Sequence, residues 1–128
     1  MKNEPSPSRF LLWFDPRGRS ASSWAFILNR ITALGLTFYL LLHLMMLGQL
    51  AIGPDAYDGF IKLVKNPIVA VGELLVVAAG IMHGLNGIRI ALTGLGFGTV
   101  HHKKMLAAAA IFSLGLIIMF GVRMFSFE

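Results

Sequence analysis

The sequence contains no cysteine. Disulfides, thiolate zinc sites and iron–sulfur ligation by this chain are therefore excluded. Charge is scarce as well: 13% of residues are Asp, Glu, Lys or Arg, against ~25% in an average soluble domain. Acidic residues are the scarcest, with 6 Asp and Glu beside 11 Lys and Arg. What fills the chain instead is apolar, at 56% of its 128 residues. That composition excludes a disordered chain and disfavours an ordinary soluble domain, and the length suits one domain. A formal charge of +5 in a soluble protein would point to nucleic acid. Here the basic residues lie mostly outside the apolar runs, so they report membrane topology and no nucleic-acid partner is expected.

A bilayer core requires ~20 apolar residues per helix. Three stretches qualify: 24–52, with no charge beyond Arg30; 68–92, which contains Glu73, His83 and Arg89; and 105–122, with no charge at all. The first is too long for a signal peptide and lacks a small-residue cleavage site, while Glu4 and Asp15 suit a transit peptide poorly. Gly53-Pro54-Asp55 ends the first run, Asn66-Pro67 opens the second with proline in the favoured first turn, and Gly94, Gly96 and Gly98 end it. The fold expected is an all-α integral membrane protein with spans at about 24–52, 67–93 and 103–125, preceded by a segment 1–23. Residues 53–66 suit a short surface helix, because Ala56, Phe60 and Leu63 or Val64 share a face.

Lysine and arginine set the orientation. Lys2, Arg9, Arg17, Arg19 and Arg30 precede or open the first span, and Arg89, Lys103 and Lys104 flank the second loop. The other ends hold only Lys62, Lys65 and Arg123. The expected topology therefore has the N-terminus and the second loop in the cytoplasm. The basic run His101-His102-Lys103-Lys104 reads as a solvated or headgroup-facing cluster.

Ionisable groups within a span are expensive and mark function by default. His83 lies ~9 Å from the cytoplasmic end of its span, and His43 lies ~20 Å past Arg30. The two imidazoles therefore differ by roughly 20 Å in depth, too far to share one iron. Gly80, Gly84 and Gly87 form a stripe beside His83, leaving room for a flat group or for another helix. A haem needs that clearance and uses axial histidine, while a structural bond to a backbone carbonyl would serve His83 equally well. His43 shares a face with Thr32, Leu36 and Tyr39 and reads as a packed histidine or a ligand. Glu73 is either an interface residue or a proton-handling carboxylate.

Two motifs occur together: Asn29-Arg30-Ile31-Thr32 at the start of the first span and His83-Gly84-Leu85-Asn86-Gly87-Ile88-Arg89 in the second. On a three-span chain of this length they resemble the cytochrome b subunit of succinate dehydrogenase. That family's pattern is His-Arg-Ile-Thr-Gly followed by His-x-x-x-Gly-Ile-Arg. The resemblance covers about 24–95. It implies a membrane anchor of a succinate:quinone oxidoreductase, holding haem b and part of a pocket for menaquinone or ubiquinone. The implied partners are a second anchor subunit, an iron–sulfur subunit and a flavoprotein, and the implied location is a bacterial or archaeal cytoplasmic membrane.

By that resemblance His83 is the axial haem ligand, Arg30 the arginine beside the quinone site, and Arg89 the arginine that can reach a haem propionate. The other axial ligand would come from the second anchor. Asn29 stands where the family has histidine, Ala33 where it has glycine, Phe26 where some members have serine, and Ile90 where many have a second histidine. Ser23, two helical turns before Arg30, is the substitute quinone-site hydroxyl. Some relatives hold two haems, and His43 matches the depth of the distal ligand, which implies a second haem. The rival readings are a haem-free structural anchor, a fumarate reductase anchor working in the opposite direction, and a small transporter subunit. The last needs a polar lining, for which the third span offers only Ser113.

Overall fold

The structure, a computed structural model, describes residues 11–15, 17–18 and 20–126. Of the basic residues that set the expected topology, Lys2, Arg9 and Arg19 lie outside the described residues, as do Glu4 and residues 127–128. Helix α1 is Ala21–Ile52, α2 Pro54–Val64, α3 Pro67–Gly94 and α4 His102–Ser126, with a 3₁₀ turn Thr99–His101 before α4. The three long helices have 32, 28 and 25 residues. At 1.5 Å per residue even the shortest is ~38 Å, enough to cross a hydrocarbon core of ~30 Å. This is an all-α integral membrane protein with three spans.

Local chemistry sets the helix boundaries. Ser20 is extended and its hydroxyl accepts the Ser23 N–H at 3.4 Å, so α1 starts at Ala21 rather than at Trp24, where the expected span begins. Asn66 caps α3 by accepting the Ile68 N–H at 2.9 Å, and Pro67, with no N–H of its own, occupies the first turn. The single residue between α1 and α2 is Gly53, at φ 149°. This backbone lets α2 fold back against α1 without a longer loop. Asp55 in its first turn and Lys62 in its last complement the helix dipole. The packed side of α2 carries Ala56, Phe60 and Val64 together with Tyr57 and Ile61; Leu63, the alternative to Val64, points outward and is 62% exposed.

Helix α3 lies between α1 and α4 and packs on both, whereas α1 and α4 scarcely meet. Among the described residues only Ile27 and Ala70 are buried apolar side chains, while Ile68, Ile111 and Phe38 are more than half exposed. A water-soluble domain could not carry such a surface. In lipid it costs nothing, because acyl chains are as apolar as leucine. The buried positions that remain are polar: Thr32, Arg89 and Ser113. The helices are thus joined by close packing and by polar contacts rather than by a hydrophobic core.

Candidate functional site

Helices α1 and α3 meet around His83. Its Nδ1 lies 3.1 Å from the carbonyl oxygen of Asn29 and 3.3 Å from Thr32 Oγ1. The threonine hydroxyl has its own acceptors, the Leu28 and Asn29 carbonyls at 2.9 and 3.0 Å. A ring nitrogen facing a carbonyl oxygen must donate, so Nδ1 carries a proton and, in the neutral imidazole, Nε2 holds the lone pair. Nε2 has no partner among the described residues. A metal-binding histidine is commonly held in this way, with its second nitrogen donating to a carbonyl.

One turn further along α3, Asn86 Nδ2 donates to the Ala25 carbonyl of α1 at 3.0 Å. The Asn86 Oδ1 accepts from Arg89 Nε at 2.9 Å. The interhelical bonds, from His83 to the Asn29 carbonyl and from Asn86 to the Ala25 carbonyl, each contribute ~0.6 kcal/mol, and at most ~1.7, inside a membrane. Together they fix the rotation of α3 against α1. Arg89 is buried to 7% exposure and does not snorkel from the helix end. Its partner is a neutral amide, with no carboxylate beside it among the described residues. An isolated buried cation is costly, so this position is suited to an anion supplied from outside the chain.

The glycine stripe divides. A Cβ on Gly80 would meet Leu36 of α1 at 4.0 Å, but one on Gly84 or Gly87 would meet nothing within 4 Å. Open space therefore lies beside His83 along Gly84 and Gly87. This fits a flat group against the helix, with Nε2 as the available donor atom and Arg89 as the countercharge for acidic substituents. His83 and Arg89 lie ~9 Å apart along the α3 axis.

Arg30 occupies a different face of α1. Its guanidinium carbon lies 4.5 Å from the Trp13 ring centre and 4.4 Å from that of Phe26, and Nη1 donates to the Trp13 carbonyl at 3.5 Å. The cation is clasped between two aromatic rings, and the segment before α1 is pinned to the helix. Ser23 belongs to the start of α1: its hydroxyl lies 3.2 Å from that of Ser20. His43 stacks on Tyr39, with ring centres 5.5 Å apart. Both line a cavity of about 490 Å³ between α1, α2 and α3, together with Tyr57, Phe60 and Glu73. Thr32, which meets His83, precedes His43 by three helical turns, so the two histidines stand ~16 Å apart along α1.

The partners that hold these groups, Thr32, Asn86 and the Asn29 carbonyl, escape a search for ionisable residues. The spacing of His83, Asn86 and Arg89 on one strip of helix is the signal that points to them. Trp13 and Phe26 leave no such signal, because their meeting at Arg30 depends on how the preceding segment folds back.

A sequence profile described as "Succinate dehydrogenase/Fumarate reductase transmembrane subunit" matches residues 8–122. The chain is similar to "Succinate dehydrogenase 2 membrane subunit SdhC" of Mycobacterium tuberculosis, at 34% identity over 86 residues, covering 67% of this chain and 60% of that protein's length. It is also similar to "Succinate dehydrogenase hydrophobic membrane anchor subunit" of Halobacterium salinarum, at 29% identity over 107 residues, covering 83% and 82% of the two chains. With the profile spanning all three long helices, the chain belongs to the succinate dehydrogenase/fumarate reductase transmembrane subunit family.

Proposed function

We propose that this chain is a membrane anchor of a bacterial or archaeal succinate:quinone oxidoreductase that holds haem b and forms part of the quinone-reduction site. The observation that carries the reading is the state of His83, with Nδ1 bound to the Asn29 carbonyl, Nε2 free and open space along Gly84 and Gly87. His83 would hold the haem iron through Nε2, and Arg89 would balance the charge of its carboxylates. A second anchor subunit would supply any further ligand to that iron, since His43 lies too far along the bundle. When bound, haem supplies one-electron redox chemistry whose potential follows its axial ligands and burial. The chain's own residues hold the imidazole tautomer, keep water from it and balance charge.

Arg30 contributes a positioned cation to the quinone site, at the end of the bundle where α1 begins. Ser23 stands nearby as a hydroxyl tied to the helix cap. The soluble partners are an iron–sulfur subunit and a flavoprotein, and the N-terminus and second loop face the cytoplasm with them. His43 is the ligand of a second, distal haem. Either menaquinone or ubiquinone meets the chemistry.

The test is His83→Ala in the purified complex. Reduced-minus-oxidised spectra should lose one low-spin haem per flavin while all subunits still copurify. Full haem at unchanged stoichiometry would remove the assignment and favour the haem-free anchor.

A further inference from the structure

Thr32 stands apart from the other groups around His83. It is buried to 9% exposure on α1, and its hydroxyl reaches α3. The single hydroxyl proton is directed to the helix's own carbonyls, at Leu28 and Asn29, 2.9 and 3.0 Å away. No proton remains for His83, whose Nδ1 lies 3.3 Å from the same oxygen. Toward the imidazole the hydroxyl can therefore only accept. The Asn29 carbonyl, 3.1 Å from Nδ1, accepts as well. One N–H is thus shared between two oxygens, the first from the backbone and the second from a side chain.

The two acceptors differ in what the sequence controls. A carbonyl is present whatever residue stands at 29, whereas the hydroxyl belongs to the side chain at 32. Its oxygen is a strengthened acceptor, because a hydroxyl that donates is polarised by doing so. The surroundings screen it little. Thr32 also borders a cavity of about 330 Å³ between α1, α3 and α4, lined mostly by apolar side chains together with Asn29, Asn86 and Ser113. No charged side chain lines that cavity. An oxygen that draws on Nδ1–H raises the electron density of the ring, and with it the basicity of Nε2 as a metal ligand. A more basic ligand nitrogen favours the oxidised metal, and hydrogen bonding behind a ligand is one of the levers a protein has on haem potential.

We propose that Thr32 is a positioning residue that tunes His83 as a haem ligand, its hydroxyl oxygen accepting from Nδ1 and so lowering the haem midpoint potential. The inference rests on the haem-holding reading above and adds to it the residue that sets how strongly His83 donates. Thr32 and Arg89 then act on the same haem with opposite sign. The buried cation of Arg89 favours the reduced form, and the acceptor at Thr32 favours the oxidised form. The first acts by charge, the second through the imidazole alone.

The experiment is an anaerobic redox titration of the haem in the purified intact complex, followed optically. Thr32→Val keeps the shape and removes the hydroxyl; Thr32→Ala removes the hydroxyl without adding bulk; Thr32→Ser keeps it. Valine and alanine should each move the oxidised-to-reduced equilibrium about threefold toward the reduced form, a part of the roughly tenfold that one whole neutral hydrogen bond represents. At 59 mV per decade for one electron that is ~30 mV upward. Serine should stay at the wild-type potential, and all three variants should keep the low-spin spectrum and the haem stoichiometry. A packing role predicts another order, with valine at the wild-type value and serine and alanine displaced together. That order, no shift in valine and alanine, a downward shift, or loss of haem from both hydroxyl-free variants would overturn the proposal. His83→Ala in the same preparation separates this failure from that of the underlying reading. If His83→Ala loses the haem while the Thr32 variants leave the potential unmoved, only the tuning role is lost; if His83→Ala keeps the haem, both readings fall.

Discussion

Replacing Arg89 by leucine yields a change whose sign depends on what faces the guanidinium. Within this chain the cation is buried, bound to the neutral Asn86 amide and without a carboxylate. If it stayed so in the assembled complex, Arg89→Leu would remove a desolvation cost of several kcal/mol and raise stability. If a haem propionate faces it, the substitution breaks a buried ion pair instead, and that costs ~3–5 kcal/mol. At ~1.4 kcal/mol per decade, haem should then dissociate from detergent-purified complex on the order of 10²- to 10³-fold faster. The haem midpoint potential should shift as well, because removing a nearby positive charge favours the oxidised form and lowers the potential. Arg89→Lys keeps the charge but loses the planar fork and the Nε bond to Asn86, so it should fall between wild type and leucine. The assay is haem loss to apomyoglobin followed optically, with a redox titration on the same preparation. Unchanged haem retention and potential in Arg89→Leu, or a more stable complex, would refute the propionate role.

Arg30→Leu should reduce succinate-to-quinone activity by ~10²-fold, the scale of losing one fixed electrostatic donor. Succinate oxidation with a soluble dye should persist, and an equal fall in both activities would make Arg30 an assembly residue that clasps Trp13 and Phe26. His43→Ala should lower two haems per flavin to one by pyridine haemochrome assay; a single haem in the wild type, unchanged by the substitution, would leave His43 as the ring stacked on Tyr39. Gly84→Leu meets no atom of this chain within 4 Å of the new Cβ, so membrane insertion should be normal. Haem incorporation should nevertheless drop severalfold in difference spectra, whereas full incorporation would show that nothing approaches that face.

The number and placement of the spans were legible without coordinates, because crossing a bilayer is a property of consecutive residues. Long apolar runs, Pro67 in a first turn and the glycines after Leu92 decide it locally. The motif residues around Arg30 and His83 were legible for the same reason, and helical rise separates His43 from His83 in depth. Ser20 capping moved the start of α1, and Val64 rather than Leu63 turned inward, because these outcomes depend on a side-chain bond and on how α2 lands.

Which atoms meet across the helices was decided only in three dimensions. Helices α1, α3 and α4 are apolar nearly all round, so no amphipathic stripe reveals the face that turns inward. In lipid, no hydrophobic force selects that face either, and close packing with a few polar bonds does. That is why the burial of Arg89 against Asn86 and the bond from His83 to the Asn29 carbonyl emerge only when the helices are packed. For the same reason, the cavity lined by Asn29, Asn86 and Ser113 has no signature in the order of residues: its walls come from three helices whose relative rotation their packing alone determines.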